Sequence, residues 1–330
     1  MTRIAIEGSG RYFSAVSIGR IAVGLAAITV AQACARDTAP PPTETAVAVP
    51  APAHKFDHVI IVVLENENAV AVRKVPAMDS LAKRGVLLRN YYAVAHPSYP
   101  NYLALISGNT FIGSDPRARH DPDAYRALDM GDAQLLIDAP TILDGLAAKG
   151  LAWDAFAEDY PELSSSPARC DFRRQVGLYA RKHFPFLSFA GFHAHRGWCR
   201  RVRNLRWFSK DSLAAYTFIA PNLVHDGHDA PLSTAVTWLR AFLQPVLADS
   251  AIMKRTLVVV TFDESANPIS EMISGSQPNR VYTLLLGGML SGHISDRTYS
   301  HFSLLQTIED NFGLSRLAPG DVSPIADVWQ

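Results

Sequence analysis

The chain has 330 residues, 48% of them hydrophobic and 19% charged, which suits a large α/β domain with a sizeable buried core. Basic and acidic residues balance at 31 each, so the overall charge directs the protein neither to nucleic acid nor to a generic anionic partner. Any electrostatic recognition must be local.

Residues 1–33 read as a signal peptide. Arg3, Arg11 and Arg20 precede the apolar run IAVGLAAITVAQA, which has the length of a signal h-region and is short for a membrane span. The run ends in Ala31, Gln32 and Ala33, a small-residue cleavage pattern, and Cys34 follows at once. A lipoprotein-type cut before Cys34 is the variant reading, although the leucine expected three residues earlier is missing. Export to the periplasm or beyond is therefore expected. Residues 34–55, rich in Pro, Ala and Thr, read as an extended linker, and a catalytic domain is expected over 56–330. An oxidising compartment favours a disulfide between Cys170 and Cys199, the two cysteines of the body, and no C-x-x-C suggests a metal site.

From Phe56 onward, apolar runs alternate with helical patterns. HVIIVVL (58–64), LAWDAFA (151–157), AYTFIA (215–220), TLVVVTF (256–262) and VYTLLLG (281–287) have the composition of buried strands. Helices are expected over PAMDSLAKRG, stopping at Gly85, PTILDGLAAKG, stopping at Gly150, STAVTWLRAFLQPVL, and SHFSLLQTIEDNFG, stopping at Gly313. A further helix is expected from about Ser98 through YLALIS. This alternation implies an α/β fold with a mostly parallel sheet covered on both faces, whose ligands gather at the carboxyl ends of the strands.

The residues directly after those runs are rich in ligand atoms. Glu65 and Asn66 follow the first run, Asn222 and HDGHD (225–229) the third, and Asp263 and Glu264 the fourth. Adjacent carboxylates repel each other, and a bound cation relieves the repulsion. Glu65, Asn66, Asp263 and Glu264 are the expected metal ligands, with Asn222 and Asp226 as weaker candidates. So oxygen-rich a set favours a hard divalent ion such as calcium or magnesium over zinc. In HPSYPN (96–101), Ser98 is expected to cap a helix with Pro100 at its first position, which would place the serine hydroxyl where a helix start favours phosphate. Asn101 is expected to steady a phosphoryl oxygen.

FDHVIIVVLENEN, NYYAVAHPSYPNYLALISGN, YARKHFPF, FIAPNLVHDGHD, TLVVVTFDE and HFSLLQTIEDNFGL, in that order, resemble the segments of the bacterial phosphoesterase family of secreted acid phosphatases and phospholipase C-like enzymes. The resemblance spans residues 56–316. It implies an alkaline-phosphatase-like three-layer sandwich, a phosphoseryl intermediate on Ser98, and a metal at Glu65, Asn66, Asp263 and Glu264. SYPN is also similar to the T-F-P-N of nucleotide pyrophosphatases, whose asparagine contacts phosphate. Asn222, Asp226 and His301 lie near the second metal of two-metal relatives, but the residue types match imperfectly.

Four histidines within these motifs could donate protons, bind phosphate oxygens or ligate metal. His96 and His228 are assigned to catalysis, and His225 and His301 to phosphate. His183 equally suits a packed loop. Residues 169–206 hold ten Arg or Lys against the single acid Asp171, interleaved with aromatics; they read as a solvated insertion or as a basic wall for anionic substrates and phospholipid headgroups.

The expectation is an exported, metal-dependent phosphomonoesterase acting on a small phosphorylated or phospholipid-derived substrate, with no nucleic-acid or obligate protein partner. A phospholipase C-type diesterase and an inactive anionic-ligand-binding surface protein are the rivals. Mass spectrometry of the mature protein is expected to find an N-terminus at or just after Cys34; an intact Met1 terminus would refute the leader.

Overall fold

The computed structural model describes residues 54–112, 136–162, 169–266 and 278–330; the expected leader and most of the linker lie outside them. The strands are β1 (His58–Leu64), β2 (Val86–Tyr92), β3 (Trp153–Ala157), the short hairpin of β4 (Gln175–Val176) and β5 (Tyr179–Ala180), β6 (Val202–Asn204), β7 (Tyr216–Ala220), β8 (Thr256–Phe262), β9 (Thr283–Leu286) and β10 (Ile294–Ser300). All but the hairpin join one sheet in the order β10-β2-β9-β8-β1-β7-β3-β6. Every pairing in it is parallel except the two made by β9, which runs against both β2 and β8.

Four of the five expected strands, β1, β3, β7 and β8, pair with one another in parallel, and the fifth, β9, is equally buried but antiparallel. In β8 every residue is buried, and in β1 all but His58. Strands covered on both faces have no polar side to display, so no alternation marks them. β10 differs: it is an edge strand of sequence ISDRTYS with only Ser295 and Tyr299 buried, and it carries no apolar run by which sequence could identify it.

The helices are α1 (Ala69–Arg73), α2 (Pro76–Ala82), α3 (Ser98–Ser107), α4 (Ile142–Ala148), α5 (Ala190–Ala194), α6 (Leu232–Leu247), α7 (Ser250–Met253) and α8 (His301–Phe312). α4 starts with a reciprocal cap between Thr141 and Asp144, and Gly313 ends α8 in the left-handed conformation at φ 62. Gly85 has a different role from the expected helix stop. α2 closes on Lys83, and a Cβ on Gly85 would lie 2.0 Å from the Leu285 carbonyl oxygen, so the glycine admits the close approach of β9. α3 packs against both α4 and α8 and is buried along its whole length.

Because β1, β2, β3, β7, β8 and β10 share one direction, their carboxyl ends open on one edge. That edge carries Glu65 and Asn66, the segment leading to Ser98, Glu158 and Asp159, Asn222, Asp263 and Glu264, and His301. The α/β sandwich expected from the sequence is the fold observed.

Cys170 and Cys199 form a disulfide, 29 residues apart in sequence. In a Cys34→Ser background, unreduced denatured protein is expected to show no free thiol. Cys170→Ser is expected to lower stability by about 3.6 kcal/mol, the chain-entropy value for a loop of this length. Two reactive thiols in that assay would refute the pairing.

Candidate active site

Ser98 is the first residue of α3, and Pro97, joined to His96 by a cis peptide bond, occupies the N-cap without a side-chain cap bond. The expected arrangement shifts by one or two places. Ser98 does not cap, and Pro100 is the third helical residue. Proline is tolerated there because N–H groups of the first turn have no intrahelical acceptor. The serine hydroxyl, freed from capping, faces the strand ends: Glu264 Oε1 lies at 3.0 Å, Glu65 Oε2 at 3.1 Å and Asn66 Oδ1 at 3.2 Å. Asn66 adopts φ 44, a left-handed conformation that asparagine tolerates, and its N–H donates to Asp263 Oδ1 at 3.1 Å.

A hydroxyl has one hydrogen, so it can satisfy only one of those three acceptors. The carboxylates beside it are buried: Glu65 and Asp263 fully, Glu264 at 5% exposure. Burial first, then the charges of Glu65 and Glu264, push the Asp263 carboxyl well above its ordinary range. Asp263 Oδ2 is buried and accepts no hydrogen bond within the described residues. No three His, Cys, Asp or Glu side chains of the described residues meet as a preformed metal-binding group. The cluster is organised around the serine oxygen instead. Its excess of acceptors, an orphaned carboxylate oxygen and an all-oxygen composition fit a hard cation held by Glu65, Asn66, Asp263 and Glu264.

Several expected phosphate contacts are otherwise engaged. Asn101 has its carbonyl accepting from the N–H groups of Val94 and Ala95, both at 3.0 Å, and its amide donating to the carbonyls of Ala95 and Pro97 at 2.9 and 3.4 Å. It therefore shapes the loop that delivers Ser98, and its amide is not aimed at a phosphoryl oxygen. Asn279, not singled out by sequence, ties the same Ala95 carbonyl to the Ser265 N–H. His301 is fully buried, with Nε2 at 2.6 Å from the Asp263 carbonyl oxygen and Nδ1 at 3.2 Å from the Tyr91 hydroxyl. It holds the backbone of Asp263 and has no ring nitrogen left for substrate. His96 pairs through Nδ1 with Glu264 Oε2 while its side chain stays 35% exposed.

The strand end of β7 builds a separate cluster. The Asn222 amide donates to Asp159 at 2.7 Å, its carbonyl accepts from the N–H groups of Val224 and His225, and His225 Nδ1 lies 2.9 Å from Glu158. His225 also stacks on Trp238. His228 is bonded to Asp229 at 2.6 Å and partly exposed. Asp226, with its carboxyl raised to about 6 mainly by burial, is not among the groups around Ser98; its Oδ2 lies 3.4 Å from His183 Nδ1. Asn222 and Asp226 are thus placed outside the serine cluster. His183 is buried between Asp226 and Glu65, 3.4 and 3.2 Å from their oxygens without a hydrogen bond to either, and Tyr102, which sequence did not single out, donates to Glu65 Oε1 at 2.5 Å. Burial and the Glu65 charge push the Tyr102 phenol well up, which keeps it a donor.

The aromatic residues of the basic segment are internal, whereas most of its arginines are exposed. Phe184, Phe186, Phe189 and Phe192 are buried, Arg201 and Arg203 pair with Asp154, Arg206 with Glu162, and Arg173 with Asp171. Trp207 remains 56% exposed, with the Arg206 guanidinium 5.3 Å from its ring.

A family model, the Phosphoesterase family, matches residues 68–315. The chain belongs to the Phosphoesterase family. It is 31% identical over 274 residues to a phosphate-repressible acid phosphatase of Penicillium chrysogenum, covering 81% of this chain and 61% of that one. It is 29% identical to a phosphatidylinositol-3-phosphatase of Mycobacterium tuberculosis, covering 83% of each. The chain spans about 60% of the length of the fungal acid phosphatases it matches. A solved member of the alkaline phosphatase superfamily from Vibrio parahaemolyticus shares the fold at a TM-score of 0.53 and 12% identity, over 83% of this chain and 71% of that one. Within this Phosphoesterase fold, Ser98 and the four oxygen-bearing side chains sit at the sheet edge where ligands of open α/β sheets bind.

Burial lowers the His301 imidazole from 6.5 to about 4. The unfolded chain takes up a proton near 6.5 that the fold refuses until about 4, so this contribution is complete above 6.5 and is lost as pH falls towards 4. Its full size is roughly 3 kcal/mol. His301→Gln, which retains a donor for the Asp263 carbonyl, is expected to flatten the fall in unfolding free energy between pH 6.5 and 4. An unchanged slope in denaturant titrations would refute this.

Proposed function

We propose that the protein is an exported, cation-dependent phosphatase that hydrolyses phosphate monoesters through Ser98. One observation carries the reading: in a member of the Phosphoesterase family, a serine hydroxyl at the start of a buried helix lies within 3.0–3.2 Å of three acceptor oxygens. The acid phosphatases among its relatives support the monoester class, and the disulfide suits an oxidising compartment.

Glu65, Asn66, Asp263 and Glu264 would hold the cation, which when bound supplies positive charge to the serine oxygen and to the phosphoryl group. The chain's own residues divide the remaining work. The Ser98 proton passes to Glu264 or Glu65, whose oxygens touch it, as the serine oxygen bonds to phosphorus and the ester P–O bond breaks. The departing alkoxide takes a proton from a group at the mouth of the site, and His96, partly exposed and paired with Glu264, is the nearest such donor to the cluster. Water then attacks the phosphoserine, releasing phosphate and restoring the hydroxyl. The start of α3 favours the negative charge that accumulates over both steps.

The decisive measurement is turnover on a panel of phosphomonoesters and phosphodiesters, before and after chelation, for parent and Ser98→Ala. Ser98→Ala is expected to lose roughly three orders of magnitude or more in kcat, and chelation to abolish turnover that magnesium or calcium restores. Full activity in Ser98→Ala would sink the mechanism. Faster diester cleavage would transfer the protein to the phospholipase C-type class.

A further inference from the structure

Glu65 is fully buried, and its two oxygens have different surroundings. Oε2 faces Ser98 at 3.1 Å, whereas Oε1 accepts from the Tyr102 hydroxyl at 2.5 Å and lies 3.2 Å from His183 Nε2. Tyr102 stands four residues after Ser98 in α3 and so on the same helix face. One helix therefore supplies both the reacting hydroxyl and the phenol that secures the far side of the carboxylate.

His183 comes from a different part of the chain, the short turn Arg181–His183 that follows β5. Its ring lies flat on Tyr102, with centroids 5.4 Å apart and planes 13° from parallel. Its other nitrogen faces Asp226 Oδ2 at 3.4 Å. Asp226 is itself fixed, since its Oδ1 accepts from the His228 N–H at 2.9 Å and its carbonyl from the Glu65 N–H at 2.9 Å. Tyr102, His183 and Asp226 are each at most 2% exposed.

We propose that Tyr102 and His183 are positioning residues that act jointly on one oxygen of Glu65, leaving its other oxygen to the Ser98 site, and that Asp226 serves His183 instead of ligating a cation. This inference rests on the cation-dependent phosphatase reading above. A carboxylate with neither oxygen engaged can rotate and offer either or both; the Tyr102 hydrogen bond on Oε1, with the His183 imidazole 3.2 Å away at charge-pair distance but not hydrogen-bonded to it, limits that freedom. Asp226 completes a line of contacts from β7 through His183 and Glu65 to Ser98, without reaching the serine itself. A packing role alone would not require the phenol and the imidazole to meet at the same oxygen.

The test uses the whole protein, with Tyr102→Phe, His183→Gln, their double variant and Asp226→Asn. Two quantities are read: kcat and KM on a soluble phosphomonoester at saturating Mg2+, and the Mg2+ midpoint for thermal stabilisation of chelator-treated protein. Each of the first two variants is expected to lower kcat by about tenfold or more with KM little changed, and to raise the Mg2+ midpoint by about tenfold. The double variant is expected to be no worse than about threefold below the weaker single variant, because both act through one oxygen. Asp226→Asn is expected to resemble His183→Gln and to add nothing to it. Should His183→Gln fail to fold, Tyr102→Phe, which removes a single oxygen atom, decides the matter alone.

Folded variants with unchanged kcat and midpoint, or losses that multiply in the double variant, would overturn the proposal. So would Asp226→Asn abolishing Mg2+ stabilisation that His183→Gln leaves intact, or a parent whose melting is indifferent to Mg2+ and Ca2+. A parent that hydrolyses no phosphate ester, yet whose Mg2+ midpoint moves as expected in the variants, would uphold the positioning and defeat the phosphatase reading. An active parent with indifferent variants would do the reverse.

Discussion

Around Ser98, more oxygen lone pairs converge than there are hydrogens to share. The register of the central strands produces this crowding. β1 and β8 pair in parallel from His58 opposite Thr256 to Leu64 opposite Phe262, so Glu65 and Asp263 leave the sheet at the same level. The Asp263 N–H continues the ladder onto the Leu64 carbonyl at 2.9 Å. Two like charges are thereby set side by side at the end of the most deeply buried strand pair, and Glu264 adds a third. Such an arrangement opposes folding, because buried carboxylates repel and lose their water. The buried apolar length of β1, VIIVVL after His58, and of β8, LVVV and Phe262 with two buried threonines, is what offsets it. The strands that give the sheet its stability also aim its least stable groups at one point.

What prevents this cluster from collapsing into arbitrary pairings is a division between the two oxygens of each carboxylate. Glu264 gives one oxygen to His96 and the other to Ser98. Glu65 gives one to Tyr102 and His183 and the other to Ser98. Asp263 gives one to the Asn66 N–H, and its backbone carbonyl is held by His301. Histidines that sequence position suggested for direct chemistry thus divide by surroundings, with His301 buried and bonded to Tyr91 and the Asp263 carbonyl and His96 partly exposed and paired with Glu264. Asn101 belongs with His301: its four hydrogen bonds set the path of residues 94–97 and hence where Ser98 begins its helix.

Strand ends were legible because a continuous apolar run followed at once by carboxylates is visible without any structure, and the chain repeats the pattern at Leu64–Glu65 and at Phe262–Asp263. The serine that meets those strand ends was legible for a related reason, since HPSYPN brackets it with prolines ahead of an apolar helix. Two kinds of feature were not. β10 displays polar residues at the sheet edge, and β2 turns polar halfway, so neither shows the run that marks a central strand. Partner choice was the other. Asn101 has the composition of a phosphate donor, and only the backbone path of residues 94–97 shows its amide already occupied. His183 reaches Glu65 across 118 residues of sequence, a distance over which spacing carries no information, and its neighbours Phe184 and Pro185 suit an ordinary packed loop equally well.

The same accounting bears on how many cations the proposed reading requires. A second ion at the β7 end would draw on Asn222 and Asp226. The Asn222 amide is committed to Asp159, and its carbonyl to two backbone N–H groups. Asp226 has one oxygen on the His228 N–H, while its Oδ2, 3.4 Å from His183 Nδ1, accepts no hydrogen bond within the described residues. A second ion would have to displace these contacts, and each broken one would leave a buried polar group to be satisfied again. The groups around Ser98 share that feature in an Asp263 oxygen that nothing in the described protein bonds, and they add a surplus of acceptors about one hydroxyl. On the proposed reading the cation sits beside the serine, where the acceptors are most crowded, and a second ion at the β7 end would have to break the Asn222 contacts.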